Sequence, residues 1–323
     1  MSAGQPIDCV DLSSVTGRMA GSAYSGVAVV PAEPHVPTLM PWLREHRCLL
    51  RDVLDTTGAV LLRGLPTDLD LFAEIVHTIG GPMLPYTEAS TPRSRVHGEV
   101  YTSTEYPADQ RIRMHNENSY TDRWPQLLFF LCIEPAALGG HTPIADSRTV
   151  YQLIDPAIRK RFQDGVLYIR SFREGIGLSW QDTFGTDSLT EVAEYCRTHD
   201  QQLVRTDDAL RTHAYRRSSL VDSRRGEDIW FNQAHLWHES ALEEDVLEAL
   251  IGAYSRNGLP RNVFHADGTS ISASDIDSIE HAYRRCTVTI PWRRGDLLIV
   301  DNVLIAHGRT PFRGDRRVVV AMT

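Results

Sequence analysis

Hydrophobic and polar positions change period several times along the chain, and the changes divide it into elements. Leu39, Leu43, Leu49, Leu50, Val53 and Leu54 recur at helical spacing, and the run stops at Thr56-Thr57-Gly58. Ala59-Val60-Leu61-Leu62 is short and continuously apolar, the pattern of a buried strand. A second helix is predicted up to Ile79, with Asp68 or Asp70 as its cap and Gly80-Gly81-Pro82 as its stop. Strands are predicted at Leu127–Ile133, Val166–Phe172, Ile229–Phe231, Thr287–Ile290, Leu297–Val300 and Arg317–Met322, with a turn at Arg294-Gly295-Asp296. Helical spacing returns at Thr149–Phe162 (broken at Pro156), at Leu189–Arg197 with Thr190 as a cap, and at Leu242–Tyr254.

Two long stretches lack periodicity. Residues 1–35 are rich in Ser, Gly, Ala and Pro and read as an irregular arm with a short strand at Val27–Val30. Residues 83–113 carry Pro85, Pro92 and Pro107 and run straight into His115. A loop of that length inside a compact domain is usually functional, so it reads as a lid. Helices lie at the front, strands crowd the second half, and no βαβ rhythm is present. The prediction is a mostly β fold with flanking helices around a double-stranded β-helix, or jelly-roll, core. No shift of composition marks a boundary, so residues 1–323 read as one domain.

Composition narrows the function. With 42% hydrophobic and 23% charged residues, the chain has the balance of a globular protein. A net charge of −9, with its Arg pairs scattered at Arg216-Arg217, Arg224-Arg225 and Arg316-Arg317, argues against a nucleic-acid partner. Five cysteines without paired spacing argue against a disulfide framework or a zinc ribbon and point to a reducing compartment. Neither a secretory apolar region nor a membrane-length apolar run is seen, so a cytoplasmic protein with no membrane partner is expected.

The chemistry concentrates at His115-Asn116-Glu117-Asn118-Ser119-Tyr120 and near His307. In extended backbone, His115 and Glu117 point to the same side. Two His and one carboxylate on one face, with the other face open, suit a non-haem Fe(II) oxygenase. A structural zinc would want a fourth ligand, often Cys, and none is nearby.

Four stretches then match in order: HNENSY at 115–120, GGHTPIADS at 139–147, GDLLIVDN at 295–302 and HGRTPFRGDRR at 307–317. AVLLRGLP at 59–66 and WFNQAHLW at 230–237 also fit. In these the chain resembles the taurine dioxygenase and clavaminate synthase superfamily of Fe(II)/2-oxoglutarate-dependent oxygenases. The resemblance implies iron held by His115, Glu117 and His307, 2-oxoglutarate chelated at two of the open positions, and O2 at the third. It implies an Arg for the far carboxylate of 2-oxoglutarate, since a guanidinium binds a carboxylate through two parallel hydrogen bonds. Arg317 fits the family spacing, Arg316 is the runner-up because only one of the two can point inward, and Thr142 matches the assisting threonine.

The family's second Arg, four positions on, is Ala321 here, so other residues must hold any anionic group of the substrate. Asn118, Ser119, Asn232 and Arg309 are the candidates. Related halogenases replace the carboxylate ligand by Ala or Gly, so Glu117 argues for hydroxylation. HNENSY, WFNQAHLW and GLSWQDTFGT at 177–186 are most similar to the amino-acid hydroxylase branch, including syringomycin-type aspartate hydroxylases. That implies an amino-acid-like small molecule, free or tethered to a carrier protein, oxidised in specialised peptide metabolism such as antibiotic biosynthesis. Desaturation or cyclisation at the same site, and a catabolic sulfonate or aryloxy-acid dioxygenase, stay open. An inactive cupin-like binding module is the reading from another class, and the retained triad, Arg and Thr weigh against it.

Overall fold

The computed structural model describes residues 8–11, 27–30, 36–86, 88, 93–206 and 209–323. Most of the 1–35 arm, and residues 87 and 89–92 of the 83–113 segment, lie outside the described residues; within the arm, Val27–Val30 is a strand, as predicted.

Two sheets position the site. The larger has eight strands in the order Asp8–Asp11, Val27–Val30, Ala59–Leu62, Leu297–Asp301, Leu127–Glu134, Arg317–Met322, Val100–Thr102 and Arg95–His97. All neighbours pair antiparallel except Val27–Val30 with Ala59–Leu62, which run parallel. The smaller has four, in the order Val288–Ile290, Thr142–Asp146, Ile305–Arg309 and Ile112–His115.

Side-chain alternation along the central strands feeds two cores. Val60, Leu62, Phe129, Leu131, Leu297 and Ile299 point outward and pack against helices Val36–Glu45, Arg47–Thr57 and Leu69–Ile79 through Leu43, Leu54, Phe72 and Ile75. Their neighbours Leu61, Phe130, Leu298 and Val300 point the other way and meet Ile144, Ile290 and Ile305 of the small sheet. The far face of the small sheet, at Ala145 and Ala306, joins a third core with Tyr168, Trp230, Trp237 and the helix Ala273–Cys286. A further antiparallel sheet stands there, in the order Gln201–Arg205, Leu210–Arg216, Val166–Phe172, Arg261–His265.

Several elements differ from the sequence prediction. The run 39–54 is two helices divided at His46, where the backbone leaves the helical range (φ −97°, ψ 9°). Asp68 caps its helix by accepting from Leu71 N–H at 2.8 Å, whereas the helix Leu189–Thr198 is capped by Ser188, not Thr190. The strands Gln201–Arg205 and Leu210–Arg216 escape periodicity because they are only partly buried, so their apolar and charged positions mix. The 83–113 segment is not wholly irregular: it supplies the last two strands at one edge of the large sheet. Among the described residues, no helix is long and apolar enough to cross a membrane.

The turn before Leu297–Asp301 fixes that strand's place. Gly295 adopts φ +81°, its N–H donates to the Cys132 carbonyl at 2.9 Å, and its carbonyl accepts from Leu65 N–H at 2.8 Å. A Cβ there would lie 2.3 Å from the Leu65 carbonyl oxygen. Gly295→Ala should therefore lower unfolding stability by about 1–3 kcal/mol or more. Guanidinium denaturation checks this, and an unchanged midpoint would show that the turn does not fix the strand.

Candidate metal centre

Ile112–His115 and Ile305–Arg309 are neighbours in the small sheet, and His115 stands directly opposite His307. Their ring centroids are 4.4 Å apart. Glu117 follows in the turn after the first strand, and its Oε2 lies 3.9 Å from His115 Nε2 and 4.0 Å from His307 Nε2. Glu117 is thus off the strand, so a turn rather than strand alternation aims it at the two rings. The three ligand atoms lie within 4.8 Å of one another, with no hydrogen bond joining them.

Local bonding prepares each ligand. His115 Nδ1 lies 2.9 Å from the Arg113 carbonyl, which holds the ring proton on Nδ1 and leaves the Nε2 lone pair free for a metal. Burial pushes both imidazoles below their ordinary pKa, His307 well below, although the Glu117 charge partly offsets this at His115. Both rings are therefore neutral donors at neutral pH. The buried Nδ1 of His307 has no hydrogen-bond partner among the described residues.

Asn302 holds the carboxylate in place from 185 positions away. Its Oδ1 accepts from Glu117 N–H at 2.6 Å, and its Nδ2 donates to the carbonyls of Glu117 (3.0 Å) and Pro125 (2.9 Å). Asn116 Nδ2 returns a bond to the Asn302 carbonyl at 2.7 Å. Next door, Asp301 Oδ1 accepts from the N–H groups of Val303 and Leu304 at 2.9 and 3.1 Å. That corner turns the chain from the large sheet into the strand that carries His307. Two neutral imidazoles and a fixed carboxylate, with no cysteine among them, are a fitting donor set for iron(II).

Two cavities meet at the triad. The smaller is lined by His307, Thr142, Phe130, Arg309 and Arg316. Arg316 donates to the Gly140 carbonyl (2.9 Å) and the Ser103 hydroxyl (3.1 Å), and no carboxylate pairs with it among the described residues. Burial, with Arg309 nearby, pushes its pKa down to about 10, so it stays charged at neutral pH. Trp292 Nε1–H donates to Thr142 Oγ1 at 3.0 Å, leaving that hydroxyl's own proton to give. Arg317, placed first from sequence, opens the last strand and is exposed, whereas Arg316, just before that strand, lines the cavity.

The other sequence candidates lie differently. Asn118 (φ +54°) and Ser119 build the turn that carries Glu117, and the Ser119 hydroxyl donates to the Asn116 carbonyl at 3.0 Å. Asn232 bonds the Ser218 carbonyl and Ala234 N–H. None of the three lines a cavity at the triad: Ser119 and Asn232 are engaged by backbone, and Asn118 Oδ1 accepts from the Tyr120 hydroxyl at 3.4 Å. Arg309 does line one, but its guanidinium binds the carbonyls of Tyr106, Pro107 and Gln110, tying the 106–110 loop to the small sheet.

The larger cavity, about 170 Å³, opens on His115 and Glu117 and is lined by Arg93, Arg111, Arg113, Gln233, Trp237 and Arg261, among others. Sequence reasoning missed Arg93, Gln233, Arg261 and Asn302 as site residues. Lone arginines in loops and strands carry no local signal, and Asn302 is legible only as the last residue of GDLLIVDN.

Comparison with known proteins places this geometry. The family model "Taurine catabolism dioxygenase TauD, TfdA family" matches residues 26–323. The dapdiamide synthesis protein DdaC of Enterobacter agglomerans is 38% identical over 275 residues, covering 84% of this chain and 83% of that one. A clavaminate synthase-like protein of Arabidopsis thaliana is 30% identical over 302 residues, covering 89% and 88%. Among solved structures, PvcB of Pseudomonas aeruginosa superposes with a TM-score of 0.55 at 14% identity, covering 100% of this chain and 92% of its own. AAD-2, solved with Mn(II) and N-oxalylglycine, gives 0.53 at 10% identity, covering 99% and 97%. The last two show a shared fold alone. The match over almost the whole chain, on a His–Glu–His triad already assembled for a divalent metal, makes this protein a member of the TauD/TfdA family: a non-haem dioxygenase that uses Fe(II), 2-oxoglutarate and O2.

Proposed function

We propose that the enzyme hydroxylates an unactivated C–H bond of an amino acid or amino-acid-derived molecule, free or carried on a carrier protein, in specialised peptide metabolism. The observation that carries this reading is the cavity over the triad: small, and lined among the described residues by four arginines against one glutamate, beside Ile112, Leu236 and Trp237. Such a lining suits a compact acid rather than a long apolar chain. The similarity to a protein named for dapdiamide synthesis supports it, and Glu117 keeps the carboxylate that related halogenases lack.

Bound Fe(II), 2-oxoglutarate and O2 together supply the oxidant for such a bond. The chain's own residues do the rest. His115, Glu117 and His307 hold the metal, with Asn302 and the Arg113 carbonyl fixing two of them. Arg316 and Thr142 receive the far carboxylate of 2-oxoglutarate, a charged donor and a hydroxyl facing one cavity. Arg309 holds the 106–110 loop, and Arg93, Thr104 and Tyr106 line the cavity beside it, where they limit the access of water. The two sheets that share the core around Leu298 and Ile305 are read as a jelly roll. The whole is read as one domain. The unpaired Cys48, Cys132, Cys196 and Cys286 suit the cytoplasm.

Succinate release, measured across free amino acids and their carrier-bound forms, tests the substrate class; stimulation by none of them would sink the proposal. Arg316→Ala should raise the KM for 2-oxoglutarate at least about tenfold, while Arg317→Ala shifts it less than about threefold. The reverse order would return the role to Arg317. Asn302→Ala leaves the N–H and carbonyl of Glu117 without their partner, so Fe(II) affinity should fall about 10–100-fold. Calorimetric titration with Fe(II) under argon reads it, and an unchanged affinity would contradict the clamp.

A further inference from the structure

We propose that the cavity over the triad takes a free carboxylate of the substrate on Arg93, with Arg261 as a second cation in the same cavity. This rests on the oxygenase reading above and names what the cavity selects. Arg93 belongs to both cavities, so it stands where they meet. Its side chain is only 4% exposed. Nη2 donates to Glu117 Oε2 at 2.7 Å, and the guanidinium lies 4.5 Å from the centroid of the Tyr86 ring. Nε and Nη1 are buried with no hydrogen-bond partner among the described residues.

That arrangement is incomplete. A guanidinium carries five N–H donors, and a buried donor left open costs about 1–3 kcal/mol. Glu117, moreover, is a metal ligand. Once its charge is shared with a divalent cation, it offsets less of the charge on Arg93, and the deficit falls on the cavity. Among the described residues, no other carboxylate lines that cavity.

The remaining cations sharpen the choice. Arg113 is committed to Glu280 and to the carbonyls of His235 and Ala241, and Arg111 is exposed. Arg261 lies over the Trp237 ring, 5.5 Å from its centroid, and stands opposite the buried Arg170 across the strand pair. Glu88 acts on Arg170, while Arg261 adds a second positive charge to the lining of the cavity itself. A planar carboxylate matches a guanidinium better than any neutral group does. If the substrate rides on a carrier, the carboxylate that meets Arg93 must be a different one from that joined to the carrier.

The test uses the Fe(II)-loaded, 2-oxoglutarate-loaded enzyme under argon and calorimetric titration with free L-amino acids, L-aspartate and L-asparagine included, and their carboxamides. At least one acid should bind, its carboxamide about 10–100-fold more weakly. Arg93→Gln and Arg261→Gln should each remove most of that preference while shifting 2-oxoglutarate affinity less than about threefold. Equal binding of acid and carboxamide by the unaltered enzyme overturns the proposal, whatever the variants do. So does a variant that loses Fe(II) or 2-oxoglutarate but keeps the acid preference, which would make Arg93 only a counter-ion for Glu117. So does an enzyme that takes up 2-oxoglutarate yet binds no acid of the set. Failure to bind 2-oxoglutarate at all strikes instead at the oxygenase reading.

Discussion

The chemistry of this protein depends on two strands, distant in sequence, lying side by side so that His115 faces His307. The small sheet supplies that pairing, and the Asp301-Asn302 corner supplies the third ligand's position. Asp301 turns the chain into the His307 strand, while Asn302 grips the peptide of Glu117 on both sides. One corner therefore sets two ligands at once. The apolar cores on either side of the large sheet hold that corner still, because the strand ending at Asp301 is buried on both faces.

Electrostatics then shapes what the site receives. The triad brings one negative charge into a surrounding of arginines. Arg93 keeps two buried N–H groups, and Arg316 its charge, without a carboxylate partner among the described residues. Arg316 faces one cavity and Arg93 the boundary between the two.

Much of this was legible in the sequence, and the reasons differ by residue. His115, Glu117 and His307 are legible because metal ligation demands particular residue types, and the ordered stretches around them resist coincidence. The central strands are legible because burial on both faces leaves continuous apolar runs such as Ala59–Leu62 and Leu127–Ile133. The Arg316–Arg317 choice was not, since a one-residue change of register reverses which side chain points inward. Strand alternation gave the right outcome at Glu117 for the wrong reason, because the residue sits in a turn. Asn118, Ser119 and Asn232 line neither cavity, since polar residues beside ligands often serve the turns that position them. Arg93 carries no local pattern; only the folded chain brings it to Glu117.

The central claim is that His115, Glu117 and His307 hold iron with a face left open for 2-oxoglutarate. Anaerobic addition of Fe(II) and then 2-oxoglutarate tests it most directly, by the weak visible charge-transfer absorption of the chelate. The account predicts a band that grows to one equivalent of each in the unaltered protein and is absent from His307→Ala. No band from the unaltered protein, or one that survives the loss of His307, would contradict it.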